Sequence, residues 1–396
     1  SYLRKPNTGI GQVTANFLKK LARYKEQGTR DNYGAFEFIL YLEEDLPKDF
    51  KLPSNFTKKI FLPAYKRDDL IRKIWWEKYC LTKKVKKDKC DFFISMYQCP
   101  TTIRLHMVEK SMKHIMIVHD IIPKLFCEYL DNWRKKIYWK MTEKGIKKAD
   151  KIIAVSKCTE KDLIQQLGIS PDKITTSYID VDELFASRTG TIPPSGTGHT
   201  NILKKYKLTP GYILAGGGYE KRKNIEGVVR AYKILLDRNK KEHFLQEFPK
   251  LVIYGKILPK NLSLATDAEK LLKELNLTTS VKLLDLVPQK DLPAIFQNAS
   301  LFVYPSLYEG FGMPVLEAMS TGTPVVTSKI SSLPEVGGDS VLYCDPNDTR
   351  DIAMVLKNVL TNHDLRETLK NRGCERAKQF SWGVFCEKIL NITREV

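Results

Sequence analysis

The sequence has no run approaching the roughly 18 apolar residues that a membrane-spanning helix requires, and Ser1 to Gly11 contain no apolar core of the signal-peptide kind. Secretion is therefore not expected. Histidines are few, six in 396 residues, and none stands at zinc spacing from a cysteine; the eight cysteines, at 80, 90, 99, 127, 158, 344, 374 and 386, form no Cys-x-x-Cys pair. That pattern excludes a zinc module and a disulfide framework and points to reduced thiols in a cytosol. Acidic residues are also short, 46 Asp and Glu against 65 Lys and Arg. No zinc-finger spacing, Gly-x-x-Gly loop or aromatic ribonucleoprotein pattern accompanies the charge, so nucleic acid is not the expected partner. Internal repeats and low-complexity tracts are missing as well.

What is present is enough chain for two domains of roughly 150 to 200 residues. The formal charge of +19 is uneven: residues 1 to 180 hold 36 basic against 22 acidic residues, a surplus of 14, which leaves 5 for the remainder. The first half thus faces something anionic. Residues 67 to 89 set Leu70, Ile74, Leu81 and Val85 near helical spacing, with Trp75 and Trp76 beside them and Lys83, Lys84, Lys86, Lys87 and Lys89 closing the segment. This combination suits an anionic membrane surface. It equally suits an ordinary helix with a core stripe and solvated lysines.

Strand and helix signals alternate along the whole chain, which predicts α/β layers with parallel sheets. Strands are expected near 36–41, 91–95, 114–118, 151–155 and 173–178, then near 212–216, 251–254, 281–284, 301–304, 324–327 and 341–343. Helices are expected near 10–26, 67–86, 130–147 and 158–167. The polar stretch Ser187 to Gly198, rich in Gly, Pro, Ser and Thr, reads as a loop near the domain junction. The resulting division is a first domain over 1–190, a linker or insertion over 191–208 and a second domain over 209–380. A doubly wound domain normally begins with a central strand, yet a helix is expected by about Ile10; either residues precede Ser1 or Tyr2 to Lys5 end that strand.

The densest chemistry lies in Ser306-Leu-Tyr-Glu-Gly-Phe-Gly-Met-Pro-Val-Leu-Glu317. A short apolar strand enters it, and Pro314 suits the first turn of a helix leaving it. Gly310 and Gly312 lack a Cβ, so amides at the helix start can approach a diphosphate. Glu317, about one turn in, is placed to accept from a ribose diol, and Glu309, on the loop, from a sugar hydroxyl. The segment Ile213-Leu-Ala-Gly-Gly-Gly-Tyr-Glu-Lys-Arg-Lys-Asn-Ile225 adds a strand, a glycine turn and a cationic cluster, whose Arg222 and Lys223 are candidates to stabilise a departing diphosphate.

Tyr308-Glu-Gly-Phe-Gly-Met-Pro-Val-Leu-Glu-Ala-Met319, followed by Gly322-Thr-Pro-Val-Val326, resembles the donor signature of family-four retaining glycosyltransferases. The resemblance is strong between Tyr212 and Pro346, moderate from His114 to Phe185 and weak between Ala35 and Leu105. It implies the GT-B architecture, an α/β fold of two doubly wound Rossmann-like domains facing across a cleft, the first binding acceptor and the second donor. A C-terminal segment around Phe380-Ser-Trp-Gly-Val-Phe385 would return to the first domain, so residues 381–396 complete it. Within Ile115-Met-Ile-Val-His-Asp-Ile-Ile-Pro123 the resemblance implies that His119 lines the sugar pocket and that Asp120 orients the acceptor or His119. Asn7-Thr-Gly-Ile-Gly-Gln12 is similar to the family's first loop, where Gly9 and Gly11 would let backbone approach phosphate and acceptor. Leu284 to Pro293 resembles the loop whose backbone, around Val287, meets the nucleotide base. Phe311 and Met313 fall within the donor signature itself. One departure is clear: many members carry an arginine directly after the strand where this chain has Gly217 or Gly218.

Asp180-Val-Asp182 imitates a metal-binding Asp-x-Asp, but it stands where the family has an Asn-Gly-Val-Asp turn, and no metal is expected. The implied reaction is retaining, metal-independent transfer of a hexose from a nucleoside diphosphate to a hydroxyl of an oligosaccharide or lipid-linked acceptor in cell-envelope polysaccharide or lipopolysaccharide synthesis. The acceptor hydroxyl attacks from the leaving group's side, and a donor phosphate oxygen assists proton removal. The Val-His-Asp-Ile-Ile-Pro and Glu-Lys-Arg-Lys-Asn forms most resemble the bacterial mannosyltransferase branch, which makes GDP-mannose the first donor to consider. A UDP-sugar, for glucosyl, N-acetylglucosaminyl or galactosyl transfer, and a non-catalytic nucleotide-sugar-binding subunit stay open. The expected location is cytoplasmic, at the inner face of the membrane.

Overall fold

The computed structural model describes residues 9–26, 36–46, 52, 54–61, 68–102, 112–185, 197–259 and 262–395. Its contacts fall into two compact units, Ser1–Ile179 with Ser381–Val396, and Asp180–Phe380. Asp180 to Phe185, expected in the first domain, thus belong to the second unit.

In the first unit β1 (Phe38–Leu42) and β2 (Phe56–Ile60) form a parallel pair. A separate parallel sheet runs β3 (Phe92–Ser95), β4 (Lys113–Val118), β5 (Lys151–Ala154) and β6 (Ile174–Thr176) in that order. β4 and β5 are almost continuous apolar runs because both of their faces are buried. Met116, Val118, Ile152 and Ala154 pack with Trp139, Ile146, Leu163 and Leu167 in one cluster. The helix Lys157–Leu167 starts where Ser156 Oγ accepts from Thr159 N at 3.0 Å and stops at Gly168, whose φ of 66° few residues with a Cβ adopt. The C-terminal helix Trp382–Glu395 packs on the helix Gly9–Glu26, with Phe385 edge-on to Phe17 at 6.1 Å.

β2 was not anticipated. Its sequence, Phe-Thr-Lys-Lys-Ile, offers little apolar alternation because Lys58 and Lys59 turn outward to pair with Asp45 and Asp88. The helix expected over 67–86 is interrupted: Asp69–Trp75 and Leu81–Lys87 flank a π-turn, Trp76–Cys80, while Arg67 lies outside the described residues. Its apolar stripe is core. Leu81 and Val85 are buried, Leu70 and Ile74 do not reach full exposure, and Trp76 is buried with Nε1 donating to Phe61 O at 3.1 Å. Only Trp75 of the two indoles faces outward, at 52% exposure. Gly9 and Gly11 sit inside the first helix and not in a loop before it; Asn7 and Thr8 are outside the described residues, as are Tyr2 to Lys5 and the stretch 187–196. Part of the expected linker is helical, over Thr197–Lys205.

The second unit holds one six-stranded parallel sheet. β7 (Tyr212–Gly216), β8 (Leu251–Tyr254) and β9 (Val281–Leu283) proceed toward one edge, and β10 (Ala299–Tyr304), β11 (Val325–Ser328) and β12 (Leu342–Cys344) toward the other. β7 and β10 are therefore neighbours where the order reverses, the kind of point at which open α/β sheets bind ligands beyond the carboxyl ends of their strands. Ile213, Ala215, Leu251, Ile253, Leu301 and Val303 face the helix Ile225–Glu242 and its neighbours in a buried cluster, each such side chain contributing about 1.5–3 kcal/mol.

Candidate functional site

The β7 and β10 loops carry the candidate donor residues. After β7 the chain passes through Gly216, Gly217 and Gly218, all at positive φ, into a short 3₁₀ turn, Lys221–Lys223. A Cβ at Gly216 would lie 2.3 Å from the Tyr254 ring and one at Gly217 would lie 3.1 Å from Tyr304 Cε2. The glycines thus let the turn press onto two buried rings. Asn224 then caps the next helix, accepting from Gly227 N at 3.2 Å, and its Nδ2 donates to Pro305 O at 3.2 Å and Pro346 O at 2.7 Å. These bonds tie the cationic turn to the β10 loop. A second tie is Leu307 N donating to Arg222 O at 2.7 Å.

After β10 the loop ends at Gly312, φ 108°, which begins the helix Met313–Ser320; a Cβ there would meet Leu333 Cδ2 at 2.9 Å. Gly310 is buried, Phe311 packs edge-on to Phe380 at 5.9 Å, and Met313 opens the helix, partly buried. Ser332 Oγ donates to Glu309 O at 2.9 Å and to Phe311 O at 2.8 Å, and Glu309 N donates to Ser331 Oγ at 3.0 Å. The backbone around Glu309 is therefore fixed from outside the loop.

Glu309 and the two cations form one cluster, not separate sugar and phosphate stations. A single carboxylate oxygen, Glu309 Oε1, accepts from Arg222 Nη1 at 2.9 Å, Lys223 Nζ at 2.6 Å, Tyr304 OH at 2.7 Å and Ser306 Oγ at 2.7 Å. Tyr304 OH also accepts from Lys223 Nζ, and Arg222 Nε reaches Glu220 Oε2 at 2.9 Å. The physical reason is burial: Lys223 and Glu309 are both nearly inaccessible, and neither charge is tolerable there unpaired. Burial alone would raise the Glu309 carboxyl, but Arg222 and Lys223 outweigh it and bring the pKa to about 2. Lys223 is lowered, by burial first and Arg222 second, against the pull of Glu309. The site thus holds fixed ion pairs throughout the neutral range. Glu309 Oε2 has no hydrogen-bond partner among the described residues.

Glu317 is different. It is buried in the helix Met313–Ser320, with Gln289 Nε2 donating to its Oε1 at 3.3 Å, and burial raises its pKa to about 7. A carboxylate so under-supplied with donors is suited to accept two hydroxyls. Gln289 follows Val287, which is buried in the loop after β9. Tyr304, Ser306, Ser331, Ser332 and Gln289 were not singled out from sequence. In the sequence Tyr304 is only a strand aromatic, and its position five residues before Glu309 gives no hint that its hydroxyl turns back.

His119 and Asp120 leave β4 in the first unit. His119 is buried; its Nε2 donates to Met96 O at 2.9 Å, its N–H to Gln98 Oε1 at 3.3 Å, and burial lowers its pKa to about 4. It is a neutral imidazole whose Nδ1 carries the lone pair. Asp120 Oδ1 accepts from Ile122 N at 3.0 Å, closing the turn, and Gln98 Nε2 donates to Asp120 O at 3.0 Å. Asp180 and Asp182 likewise accept the amides of Val181, at 2.8 Å, and Leu184, at 3.1 Å. Among the described residues no group of three His, Cys, Asp or Glu side chains is placed to hold a metal.

Residues 200–376 match the glycosyl transferases group 1 family and residues 40–182 match glycosyltransferase family 4. The O-antigen chain mannosyltransferase B of Escherichia coli is 31% identical over 389 residues, 96% of this chain and 94% of that protein. Among solved structures, WaaG, a glycosyltransferase involved in lipopolysaccharide biosynthesis, aligns with a TM-score of 0.69 over 98% of this chain and 96% of its own, at 14% identity. HepE from Anabaena, solved in complex with UDP and glucose, aligns with a TM-score of 0.68 over 99% of this chain and 97% of its own, at 15% identity. At those identities the likeness establishes the fold, which is GT-B.

Proposed function

This chain belongs to the family-four glycosyltransferases, and from that premise we propose that it transfers a hexose, with retention and without a metal, from a nucleoside diphosphate to a hydroxyl of a glycan or lipid-linked acceptor in cell-envelope polysaccharide synthesis. The observation that carries the reading is the Arg222–Lys223–Glu309 cluster at the carboxyl ends of the neighbouring strands β7 and β10. Two cations already oriented there meet the charge that grows on a departing diphosphate, and no reorganisation is needed at the moment of reaction. Glu309 keeps them in place through Oε1 and offers Oε2 to a sugar hydroxyl. Glu317 takes the ribose diol, and the Gly310 to Met313 backbone approaches the phosphates. Val287 sits in the loop that meets the base, and Gly9 and Gly11 bring the start of the first helix to phosphate and acceptor. His119, neutral and with Nδ1 as acceptor, takes a sugar hydroxyl, while Asp120 shapes the turn that presents it.

The acceptor hydroxyl attacks on the face the diphosphate leaves, and a donor phosphate oxygen receives its proton, so the side chains act by placement and field. GDP-mannose is the preferred donor, because the relative that spans nearly the whole chain is named a mannosyltransferase. A UDP-sugar is the second reading, favoured by the UDP found in the Anabaena structure. We place the enzyme on the cytoplasmic side of the membrane. The test is a melting screen with GDP, UDP and their sugars, followed by product analysis of the anomeric configuration with chelator present. A melting shift with no nucleotide, or an inverted product, overturns the proposal; a shift without transfer to any acceptor assigns the chain as a binding subunit.

A further inference from the structure

The helices Asp69–Trp75, continued through Cys80 to Lys87, and Trp133–Lys148 touch in the first unit at points that advance together along both, so they run in the same direction. Arg134 pairs with Asp68 near their starts, Tyr138 OH donates to Glu77 Oε2 at 3.0 Å farther along, and Lys78 Nζ reaches Met141 Sδ at 3.8 Å beyond that. Both helices carry the same outward pattern. On the first, Ile71, Trp75 and Tyr79 recur every four residues at 43%, 52% and 45% exposure, with the Trp75 and Tyr79 rings 5.3 Å apart. On the second, Trp133 and Ile137 are exposed by 69% and 46%. The same solvent faces carry lysines: Lys83 and Lys87 past Tyr79 on one, and Lys136 within the apolar turn with Lys140 and Lys144 past it on the other, all exposed and without an ion pair among the described residues. The acids nearby are occupied, Asp69 by Arg72 at 3.1 Å, Asp131 by Lys135 at 2.8 Å and Glu143 by Lys147 at 3.0 Å. Because the helices run together, their apolar ends adjoin and so do their lysine ends.

We infer that this paired face docks on an anionic lipid bilayer, with Trp75, Tyr79, Trp133 and the two isoleucines entering the headgroup boundary and the five lysines meeting lipid phosphates. Indole and phenol rings settle at that depth because one edge is apolar and the other hydrogen-bonds. Each lysine near an anionic leaflet adds attraction that falls away within a Debye length. The aliphatic pair decides against a nucleic acid, since Ile71 and Ile137 gain from hydrocarbon and have nothing to stack on a base. The stripe differs from the one the sequence suggested: Leu70, Ile74, Leu81 and Val85 face inward, and Trp133 and Ile137 come from a segment some sixty residues later.

The experiment uses the whole chain with vesicles of phosphatidylcholine alone or mixed with phosphatidylglycerol, read by co-sedimentation. Sedimentation is expected only with the mixed vesicles. The W75A/W133A pair and the K136Q/K140Q/K144Q triple should each weaken it by about tenfold or more, with melting temperatures near the parent's because every substituted side chain is solvent-facing. Equal binding of parent and both variants, equal binding to neutral vesicles, or binding of an oligonucleotide in place of vesicles overturns the inference. The assay contains no nucleotide-sugar, so its outcome is independent of the proposed reaction, and the variants should keep the parent's melting shift with nucleotide.

Discussion

The two candidate clusters, one in each unit, handle buried polarity in opposite ways. In the second, four donors converge on one oxygen of Glu309, and the charges stay because they compensate one another. In the first, His119 is buried as a neutral ring, satisfied by a backbone carbonyl of the neighbouring β3 loop, and His114 is held near pKa 4 by burial with Ser95 Oγ 2.8 Å from its Nε2. A site for a highly charged ligand needs fixed counter-charges before the ligand arrives; a site for neutral hydroxyls needs orientation without charge. Under the proposed function the charged cluster would serve the donor and the neutral one a sugar hydroxyl.

The sharpest way to break this contrast is to delete one polar group from each side. Glu309→Ala leaves Lys223 buried without its counter-charge and Arg222 with Glu220 alone, an uncompensated state that costs about 3–5 kcal/mol, and transfer should fall about a thousandfold. His119→Ala removes no charge, and a loss of about ten- to a hundredfold is expected with a smaller melting change. Calorimetry and initial rates read both; an equal fall in melting temperature for the two variants would erase the distinction.

Titration sharpens it next, because Glu317 and the two buried histidines respond to acid with opposite sign. Glu317 has a folded pKa raised to about 7, so its contribution is fully present below about pH 4.5 and is lost as pH rises through 7, by about 3 kcal/mol. His114 and His119 have folded values lowered to about 4. Each contributes stability above about pH 6.5 that is lost as pH falls toward 4, again by about 3 kcal/mol. Denaturant titrations between pH 4.5 and 7 should therefore tilt one way in Glu317→Gln and the other way in His119→Asn. Parallel slopes in the two variants would refute the assignment. Donor affinity should also weaken below pH 7 as Glu317 protonates.

Smaller effects test the finer wiring. Tyr304→Phe keeps the ring against Gly217 and removes the hydroxyl shared by Lys223 and Glu309; a drop of about tenfold in kcat/KM is expected, a hydrogen bond to charged groups being worth about 1.5–3 kcal/mol. Unchanged kinetics would make that hydroxyl a spectator. Gln289→Ala takes away a 3.3 Å bond to Glu317 and should raise the donor KM by less than about tenfold with kcat unaffected.

Much of this was legible in the chain. The expected strands of the six-stranded sheet lie within a few residues of the observed ones, because each is a short β-branched or aromatic run bounded by turn residues, and the two glutamates and the Arg-Lys pair stand in local motifs. The pieces that escaped have weak local signals. β2 is two-fifths lysine, the π-turn at Trp76–Cys80 leaves the helical spacing looking regular, and Gly9 and Gly11 suit a loop as well as a helix start.

The sequence by itself determined the alternation of strands and helices, the family signature and the identity of the charged groups, since each is written in contiguous residues. Only the tertiary structure decided that Glu309 faces Arg222 and Lys223, that Tyr304 and Ser306 share its Oε1, and that Trp75 and Trp133 point outward while Trp76 and Val85 are core. Those outcomes depend on which strands are neighbours and which helices pack together. Adjacency of β7 and β10, eighty residues apart in the chain, follows from sheet order, which local spacing does not encode.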